Sequence, residues 1–179
     1  KKLSSSGERP DWVSSVAMWY QTPPVAGEAP LPPAANRIAP YRVLPAKALT
    51  FRAEPPATTK QEEEGLIYSP GKPEAQIEFD FDIAEPGRYQ VAAVLILSLS
   101  SACYQPMLDG RPVGPELDLC VPEEDWTWFS FDLHDLQPGK HTLKFVGRGA
   151  SPHQRTKAPT RFAFGLNSIV LLRLEDMKG

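Results

Sequence analysis

The stretch of residues 85–110, EPGRYQVAAVLILSLSSACYQPMLDG, constrains the fold of this chain more than any other part of the sequence. From residue 89 to residue 97 both faces of an extended chain are mostly apolar, and β-forming residue types dominate. The run is much shorter than the roughly 18 residues of a membrane span, so it predicts a central strand that is covered on both sides. Asp109 and Gly110 then suit the positive φ angles of a tight hairpin turn, which returns the chain through residues 113–119.

Two other stretches alternate between apolar and polar side chains, which predicts strands with one buried face. In residues 76–83, the side chains predicted to face inward are those of Ile77, Phe79, Phe81 and Ile83. In residues 125–133, the side chains predicted to face inward are those of Thr127, Phe129, Phe131 and Leu133. The same alternation places on the outward face Trp126, Trp128, Ser130 and Asp132.

The remaining pattern predicts an all-β fold. Further strands are predicted at residues 48–54, 66–69, 141–146 and 162–175. Strands at this spacing, with turn signals between them and no helical period, predict a jelly-roll β-sandwich of two antiparallel sheets over residues 46–179.

Residues 1–45 are predicted to form a separate N-terminal region. Within it, residues 11–20, DWVSSVAMWY, predict a strand that is apolar on both faces and needs a partner. Residues 21–45, which we call the strap, are so rich in proline that neither a helix nor a central strand can persist there. The strap is either an extended segment docked on a surface or a flexible linker.

Charge and hydropathy exclude two classes of partner. The formal net charge of -3 and the pI near 5.7 give no broad positive field, so we expect no nucleic-acid partner. No apolar run has the length of a membrane span, so we expect no membrane partner. The first residues, KKLSSSGERP, lack the apolar segment of a signal peptide, but a mature or trimmed chain would have lost such a segment.

The chain has two cysteines, Cys103 and Cys120, on the two sides of the predicted hairpin turn. Folding about that turn brings them to similar heights, so they form either a cross-strand disulfide or two buried free thiols. Without a nearby pair of histidines they do not make a zinc ligand set.

The order of motifs from residue 48 onward resembles the galactose-binding-like jelly rolls that serve as carbohydrate-binding modules. The motifs are ALTFRAE, IEFDFDIAEPGRYQV, LDGRPVG, LQPGKHTLKFVG and GLNSIVLL. This resemblance implies a sugar-binding sandwich. In many of these modules a structural calcium lies near the positions that match Glu54 and Asn167 here, although Asn167 stands where a carboxylate is common.

A second resemblance begins with DWVSSVAMWYQ and continues through LDGRPVG, DLC and PGKHTLKF. These segments are similar to the C-terminal part of the double jelly-roll glycoside hydrolases that act on fructofuranosides and arabinofuranosides, once described as a domain of unknown function. The resemblance implies an extracellular or periplasmic protein and a homo-oligomer, a trimer in that family.

The catalytic motifs of that hydrolase family are absent from this chain. The family carries its carboxylates in Gly-Thr-Glu-Asp-Tyr-Phe and Glu-His-Gly motifs, and neither occurs here. Glycoside hydrolysis ordinarily needs two carboxyl groups about 5 to 10 Å apart. No catalytic residue can therefore be transferred to this sequence.

Sugars are recognised by aromatic rings that stack on their C–H faces and by polar side chains that bind their hydroxyls. Trp126 and Trp128, with Asp125 and Asp132 beside them, fit that requirement. The alternative is that the two indoles are covered by the N-terminal strand or the strap, as large aromatic side chains often are. Three weaker binding candidates are Tyr68, Tyr104 and Asp109, the last of which is most simply a turn residue.

Three hypotheses of function follow. The first is a non-catalytic, carbohydrate-binding or accessory β-sandwich related to glycoside hydrolases. The second is a structural or oligomerisation domain, in which the strap and the strand at residues 11–20 embrace a neighbouring copy and no sugar binds. The third is a truncated or divergent hydrolase that draws its carboxylates from residues such as Glu78, Asp80 or Asp132.

Overall fold

The computed structural model describes residues 38–56, 58–62, 65–154 and 161–177. Contacts between residues divide the chain into two units, Lys1–Pro33 and Ala34–Gly179, and all described residues belong to the second unit. The predicted strand at residues 11–20 and most of the strap lie outside the described residues. The predicted boundary between residues 45 and 46 stays a prediction. No helix in the described ranges has the length and apolar character to cross a membrane.

Strands dominate the described residues. In chain order they are β1 (Arg42–Pro45), β2 (Thr50–Glu54), β3 (Thr58–Glu62), β4 (Gly65–Ser69), β5 (Gln76–Ile83), β6 (Gly87–Leu97), β7 (Cys103–Leu108), β8 (Arg111–Pro112), β9 (Leu117–Asp118), β10 (Asp125–Leu136), β11 (Gly139–Gly149) and β12 (Phe164–Arg173). Two single 3-10 turns, Ala46–Ala48 and Leu174–Asp176, complete the described elements.

The strands form two sheets whose strand pairings are antiparallel. Sheet A has the order β10-β6-β12-β4-β3, with β1 also paired to β12. Sheet B has the order β2-β5-β11-β7-β8, with β9 also paired to β7. The predicted all-β fold with two antiparallel sheets is confirmed.

Strand β6 lies between β10 and β12 in sheet A, as predicted for a strand that is apolar on both faces. Its inward side chains, including Val91 and Leu95, belong to the core between the sheets. Its outward side chains Ala92 and Ile96 are also buried. Both faces of the strand are therefore covered.

Aromatic rings fill the centre of the sandwich. The Phe164 ring lies 4.5 Å from Phe145, 5.1 Å from Tyr104 and 6.3 Å from Phe79, measured between ring centroids. Because β12 belongs to sheet A and the other three rings belong to sheet B, this cluster joins the two sheets. The inward residues predicted for β5 are all buried: Ile77, Phe79, Phe81 and Ile83.

Strand β10 contains a register shift between Ser130 and Leu133, where two of its residues lie opposite a single residue of β6. Asp132 has a φ of 66° at this bulge. The alternation changes phase after the bulge, so Leu133 is 41% exposed and Leu136 is 4% exposed. The prediction that Leu133 faces inward is therefore wrong, whereas Phe131 is buried as predicted.

The predicted hairpin turn is confirmed. Asp109 and Gly110 have φ angles of 48° and 77° and connect β7 to β8. The Asp109 carboxylate accepts hydrogen bonds from the Thr142 N–H at 2.9 Å and from Nδ1 of His141 at 2.7 Å. The turn is thus attached to β11 as well as to its own strands.

The other features of the sheets concern the cysteines and the strap. Cys103 and Cys120 are buried free thiols, and burial raises the pKa of the Cys103 thiol.

The last residues of the strap form β1, a strand that the sequence analysis did not identify. Among the described strands β1 pairs with β12 alone, so Pro45, which has no N–H to donate, lies in an edge strand.

The bulge in β10 predicts opposite outcomes for one substitution at two leucines. We expect Leu136→Ala to lower the free energy of unfolding by about 2–5 kcal/mol, because it removes a buried side chain from the core. Leu133→Ala should change it by about 0.5 kcal/mol or less, because that side chain is largely exposed. Denaturant unfolding followed by circular dichroism measures both. Equal losses in the free energy of unfolding would show that the inward and outward alternation of β10 does not change at the bulge.

His141 predicts a pH-dependent contribution to stability. Its two ring nitrogens face the Asp109 carboxylate at 2.7 Å and the Gln137 carbonyl at 2.8 Å, so both donate only when the ring is protonated. Burial alone lowers the pKa of His141, but these two hydrogen bonds outweigh burial and raise the pKa above its ordinary value. The stabilisation is therefore complete below about pH 6.5 and is lost as the pH rises through the folded pKa.

Melting temperatures of the native protein and of His141→Gln, measured from pH 5.5 to pH 8.5, test this. We expect the difference in melting temperature between the two proteins to shrink as the pH rises. His153→Gln is the matched control, because the His153 side chain is 75% exposed and its ring lies 3.8 Å from the nearest carboxylate oxygen, that of Asp118. A gap that stays constant with pH would contradict the assignment.

Candidate functional site

The candidate site is the outer face of sheet A, the face that points away from sheet B. Trp126 lies directly opposite Ile96 of β6, and Trp128 lies opposite Val94. Residues directly opposite each other in an antiparallel pair project from the same face of the sheet. The two tryptophans are 42% and 43% exposed, so their predicted outward orientation is confirmed.

The spacing of the two indoles follows from strand geometry. Two residues of extended backbone advance by about 6.7 Å, so the rings stand side by side along β10. Their partners across the strand pair, Ile96 and Val94 of β6, are apolar, and part of each indole is exposed. The result is a row of two partly exposed indoles along β10.

Tyr41 adds a third aromatic ring to this face. Its ring meets that of Trp128 edge to face, with centroids 5.5 Å apart and planes at 74°. Strands β6 and β12 separate β10 from β1, so the two rings meet above those strands. The sequence analysis missed Tyr41, whose only signal is an aromatic residue at the end of a proline-rich segment just before a strand.

A cleft of about 510 Å³ lies toward one end of the row. Its lining includes Ile96, the residue opposite Trp126, and Glu124, two residues before Trp126. Its polar lining includes Ser98, Ser100, Glu124 and Arg161. Gly165 lies in its floor, and a Cβ there would stand 2.6 Å from the Cβ of Ile96, so glycine is required at the start of β12. The cleft thus combines hydroxyl, carboxylate and guanidinium groups at the end of β10 where the aromatic row begins.

Gln154 holds one wall of this cleft in place. Its side-chain amide donates to the backbone carbonyl of Arg161 at 2.6 Å and accepts from the Arg161 N–H at 3.0 Å. The Arg161 guanidinium in turn donates to the Ser100 hydroxyl at 3.1 Å. The charged side chain is therefore positioned by contacts at both its backbone and its end.

A second cleft, of about 530 Å³, lies at the other end of the row beyond Trp128. Its lining residues are Arg88, Gln90, Ser130, Asp132 and Leu133. The Gln90 side chain donates to the Ser130 hydroxyl at 3.2 Å, which connects β6 to β10 across the cleft. The bulge in β10 brings Asp132 and Leu133 to this position.

The two aspartates predicted beside the tryptophans differ in their surroundings. The Asp125 carboxylate accepts a hydrogen bond from the Trp126 N–H at 2.9 Å, so it is engaged with its own strand. Asp132 is exposed and lines the second cleft. Asp132 is therefore the better placed of the two to meet a ligand.

Tyr68 and Tyr104 lie in the core and not on the site. Both side chains are fully buried, and their hydroxyls donate to the backbone carbonyls of Pro55 at 2.8 Å and Phe162 at 2.6 Å. Burial raises the pKa of Tyr68 to about 12 and also raises that of Tyr104. Neither ring offers a surface to a ligand in this structure, so we leave both out of the candidate site.

The residues suggested for calcium lie on different sheets. Glu54 is exposed at the end of β2 in sheet B, and Asn167 lies in β12 of sheet A at a register shift. Nowhere in the described part of the chain do three or more His, Cys, Asp or Glu side chains come together as a metal site. The calcium site stays a prediction from the resemblance.

The structure also separates the carboxylates suggested for a hydrolase. Glu78 and Asp80 lie on the outer face of sheet B, where Arg52 binds Glu78 at 2.6 Å and Asp80 at 2.8 Å. Hydrogen bonds from Arg52 are the main cause that lowers the pKa of both carboxyl groups. Asp132 belongs to sheet A, so the fold does not bring it to the same cleft as the other two.

The fold of this chain is similar to that of several solved proteins. A Paenibacillus xanthan lyase matches 75% of this chain with a TM-score of 0.62 and 18% identity, and the match covers 13% of the lyase. A family 35 carbohydrate-binding module from an environmental isolate matches 74% of this chain and 96% of the module, with a TM-score of 0.51 and 14% identity. The insecticidal crystal protein Cry2Aa matches 75% of this chain and 22% of its own, with a TM-score of 0.50 and 9% identity.

These likenesses define a class of fold: the chain is a β-sandwich of the kind found in carbohydrate-binding modules. An insecticidal crystal protein has a similar fold, so the fold does not by itself specify a ligand. No protein-family model and no curated protein matches the sequence. The resemblance to the double jelly-roll glycoside hydrolases therefore stays a prediction.

Proposed function

We propose that this chain is a non-catalytic carbohydrate-binding β-sandwich that binds its ligand on the outer face of sheet A. The observation that carries the proposal is the pair of half-exposed tryptophans, Trp126 and Trp128, on one side of a single strand. Monomeric proteins expose large apolar surfaces mainly where they bind something. An aromatic row with a polar cleft at each end fits a sugar better than it fits a purely apolar ligand.

The chemistry of sugars explains both parts of the site. The C–H face of a sugar ring is apolar and packs on the face of an indole, while its hydroxyls need donors and acceptors around the edge. Ser98, Glu124 and Arg161 supply such groups at one end of the row, and Gln90 and Asp132 supply them at the other. Tyr41 meets Trp128 edge to face and adds a third aromatic ring to the row.

The proposal includes an accessory role beside a carbohydrate-active enzyme. Two observations support it: the match to a xanthan lyase covers only 13% of that enzyme, and the carboxylates suggested for a hydrolase, Glu78, Asp80 and Asp132, are divided between the two sheets. We also propose that the protein acts outside the cytoplasm, where polymeric glycans are found.

Single substitutions in the row test sugar binding. We expect Trp126→Ala and Trp128→Ala each to weaken binding about fivefold to tenfold, because an aromatic contact is worth on the order of 1 kcal/mol. Trp128→Tyr should keep most of the affinity, because it retains a ring. Calorimetric titration and affinity electrophoresis with soluble glucans, xylans, mannans and galactans measure the effect.

Met177→Ala is the matched control for these variants. Met177 is 52% exposed after the end of β12 and does not line either cleft, so its loss should leave binding unchanged. If the native protein binds none of the polymers in the panel, the proposed function is wrong.

A second candidate function rests on the apolar residues beside the row. Ile38 and Val43 are 72% and 56% exposed, and with Tyr41 they extend the apolar surface from the aromatic row. Such a surface also suits an interface between copies of the chain, which the hydrolase resemblance implies as a trimer. In that case the same surface holds a second copy instead of a glycan.

The mass in solution distinguishes the two candidates. If copies associate through this surface, light scattering gives a multiple of 19.8 kDa, and Val43→Ser lowers that mass toward the monomer. Under the binding proposal the native protein has the monomer mass, and Val43→Ser does not change it. A monomer at high concentration would exclude the interface.

A further inference from the structure

We infer that the outer face of sheet A takes an internal stretch of a linear, uncharged glycan that lies along β10. This inference rests on the proposed function, and it names the class of ligand for the same site. Three features of the described residues carry it: the length of the row, the alignment of the two clefts with the two indoles, and the sign of the charges along the strand.

The site is long and narrow. From Glu124 in the first cleft to Asp132 in the second, extended backbone spans about 25 Å. Trp126 and Trp128 lie between them on the same side of the strand. A ligand that contacts both clefts must therefore cross both indoles, which requires a chain of several sugar rings. A single sugar ring can occupy only one part of this row.

The charges along the row are mainly negative. Exposed carboxylates lie at both ends of β10 and in the segment that leads into it: Glu123, Glu124, Asp125, Asp132 and Asp135. The guanidiniums that face them are those of Arg161 in the first cleft and Arg88 in the second. Carboxylates therefore outnumber cations along the path that the ligand takes.

The two arginines do not reverse this balance. Arg161 donates to the Ser100 hydroxyl, and Arg88 lies directly opposite Asp135 in the pairing of β6 with β10. A polyuronate places a negative charge on every ring and would bring those charges close to the carboxylates of β10. Like charges on an exposed surface repel most strongly at low salt, because ions screen them. A neutral chain incurs no such repulsion.

Matched polymers test the inference. The probes are β-1,4-mannan with its uronate counterpart mannuronan, and a soluble β-1,4-glucan with its C6-oxidised counterpart, by affinity electrophoresis at low and at physiological salt. We expect each uronate to bind at least about tenfold more weakly than its neutral counterpart at low salt, and the difference to narrow as salt rises. Oligosaccharides of the neutral polymer that binds should gain affinity with each ring until the row is filled.

A charge variant checks the cause. Glu123→Gln combined with Asp135→Asn removes two negative charges from the ends of the row at positions that line neither of the two clefts. We expect this double variant to bind the uronate polymers about threefold to tenfold more tightly at low salt, with neutral polymers unchanged. The control is the double variant Glu74→Gln with Glu116→Gln, which also removes two negative charges, but beside strands of sheet B. It should change neither the affinity for uronate polymers nor that for neutral polymers.

The outcomes separate this inference from the proposed function. Equal or tighter binding of the uronates, or an affinity that is already complete with a single sugar, would overturn the inference while sugar binding itself stands. Binding to no polymer at all would overturn both.

Discussion

Strand β6 has to be covered on both faces, and the rest of the fold follows from how each face is covered. Its inner face packs on the aromatic cluster around Phe164, which joins sheet A to sheet B. Its outer face carries Ala92, Val94 and Ile96, and the tryptophans of β10 stand beside the last two. Apolar burial is the main favourable term in folding, so a strand of this kind recruits large side chains on both sides. The candidate site is the outer half of that arrangement.

The two outer faces of the sandwich differ in chemistry, and this difference supports the proposal that a ligand binds on sheet A. On sheet B, Arg52 bonds to both Glu78 and Asp80, and Lys144 lies 3.0 Å from Glu78. These groups already have partners within the sheet. On sheet A the outward residues of β10 include two indoles, which retain exposed ring surface. A ligand with an apolar face therefore gains more binding free energy on sheet A than on sheet B.

The sequence predicted the parts of the fold that depend on local alternation and turn chemistry. The inward set of β5, the hairpin at Asp109 and the outward tryptophans all follow from a period of two or from a positive φ. The bulge was not predictable, because Phe131, Asp132 and Leu133 continue the alternation of apolar and polar side chains and do not reveal the extra residue. Tyr41 was missed for a different reason: its contact with Trp128 depends on the pairing of β1 with β12, which is distant in sequence.

The bulge also links the edge of the sheet to the site. Among the described strands, β10 is the outermost strand of sheet A on its side, and a long edge strand is prone to pair with strands of other molecules. The register shift interrupts the edge, and Asp132 and Asp135 add charge to it, so addition of another strand is disfavoured. The same shift brings Asp132 into the second cleft beyond Trp128. One irregularity thus limits association through the edge and completes the polar end of the aromatic row, which favours a ligand on the face of β10 over a partner strand at its edge.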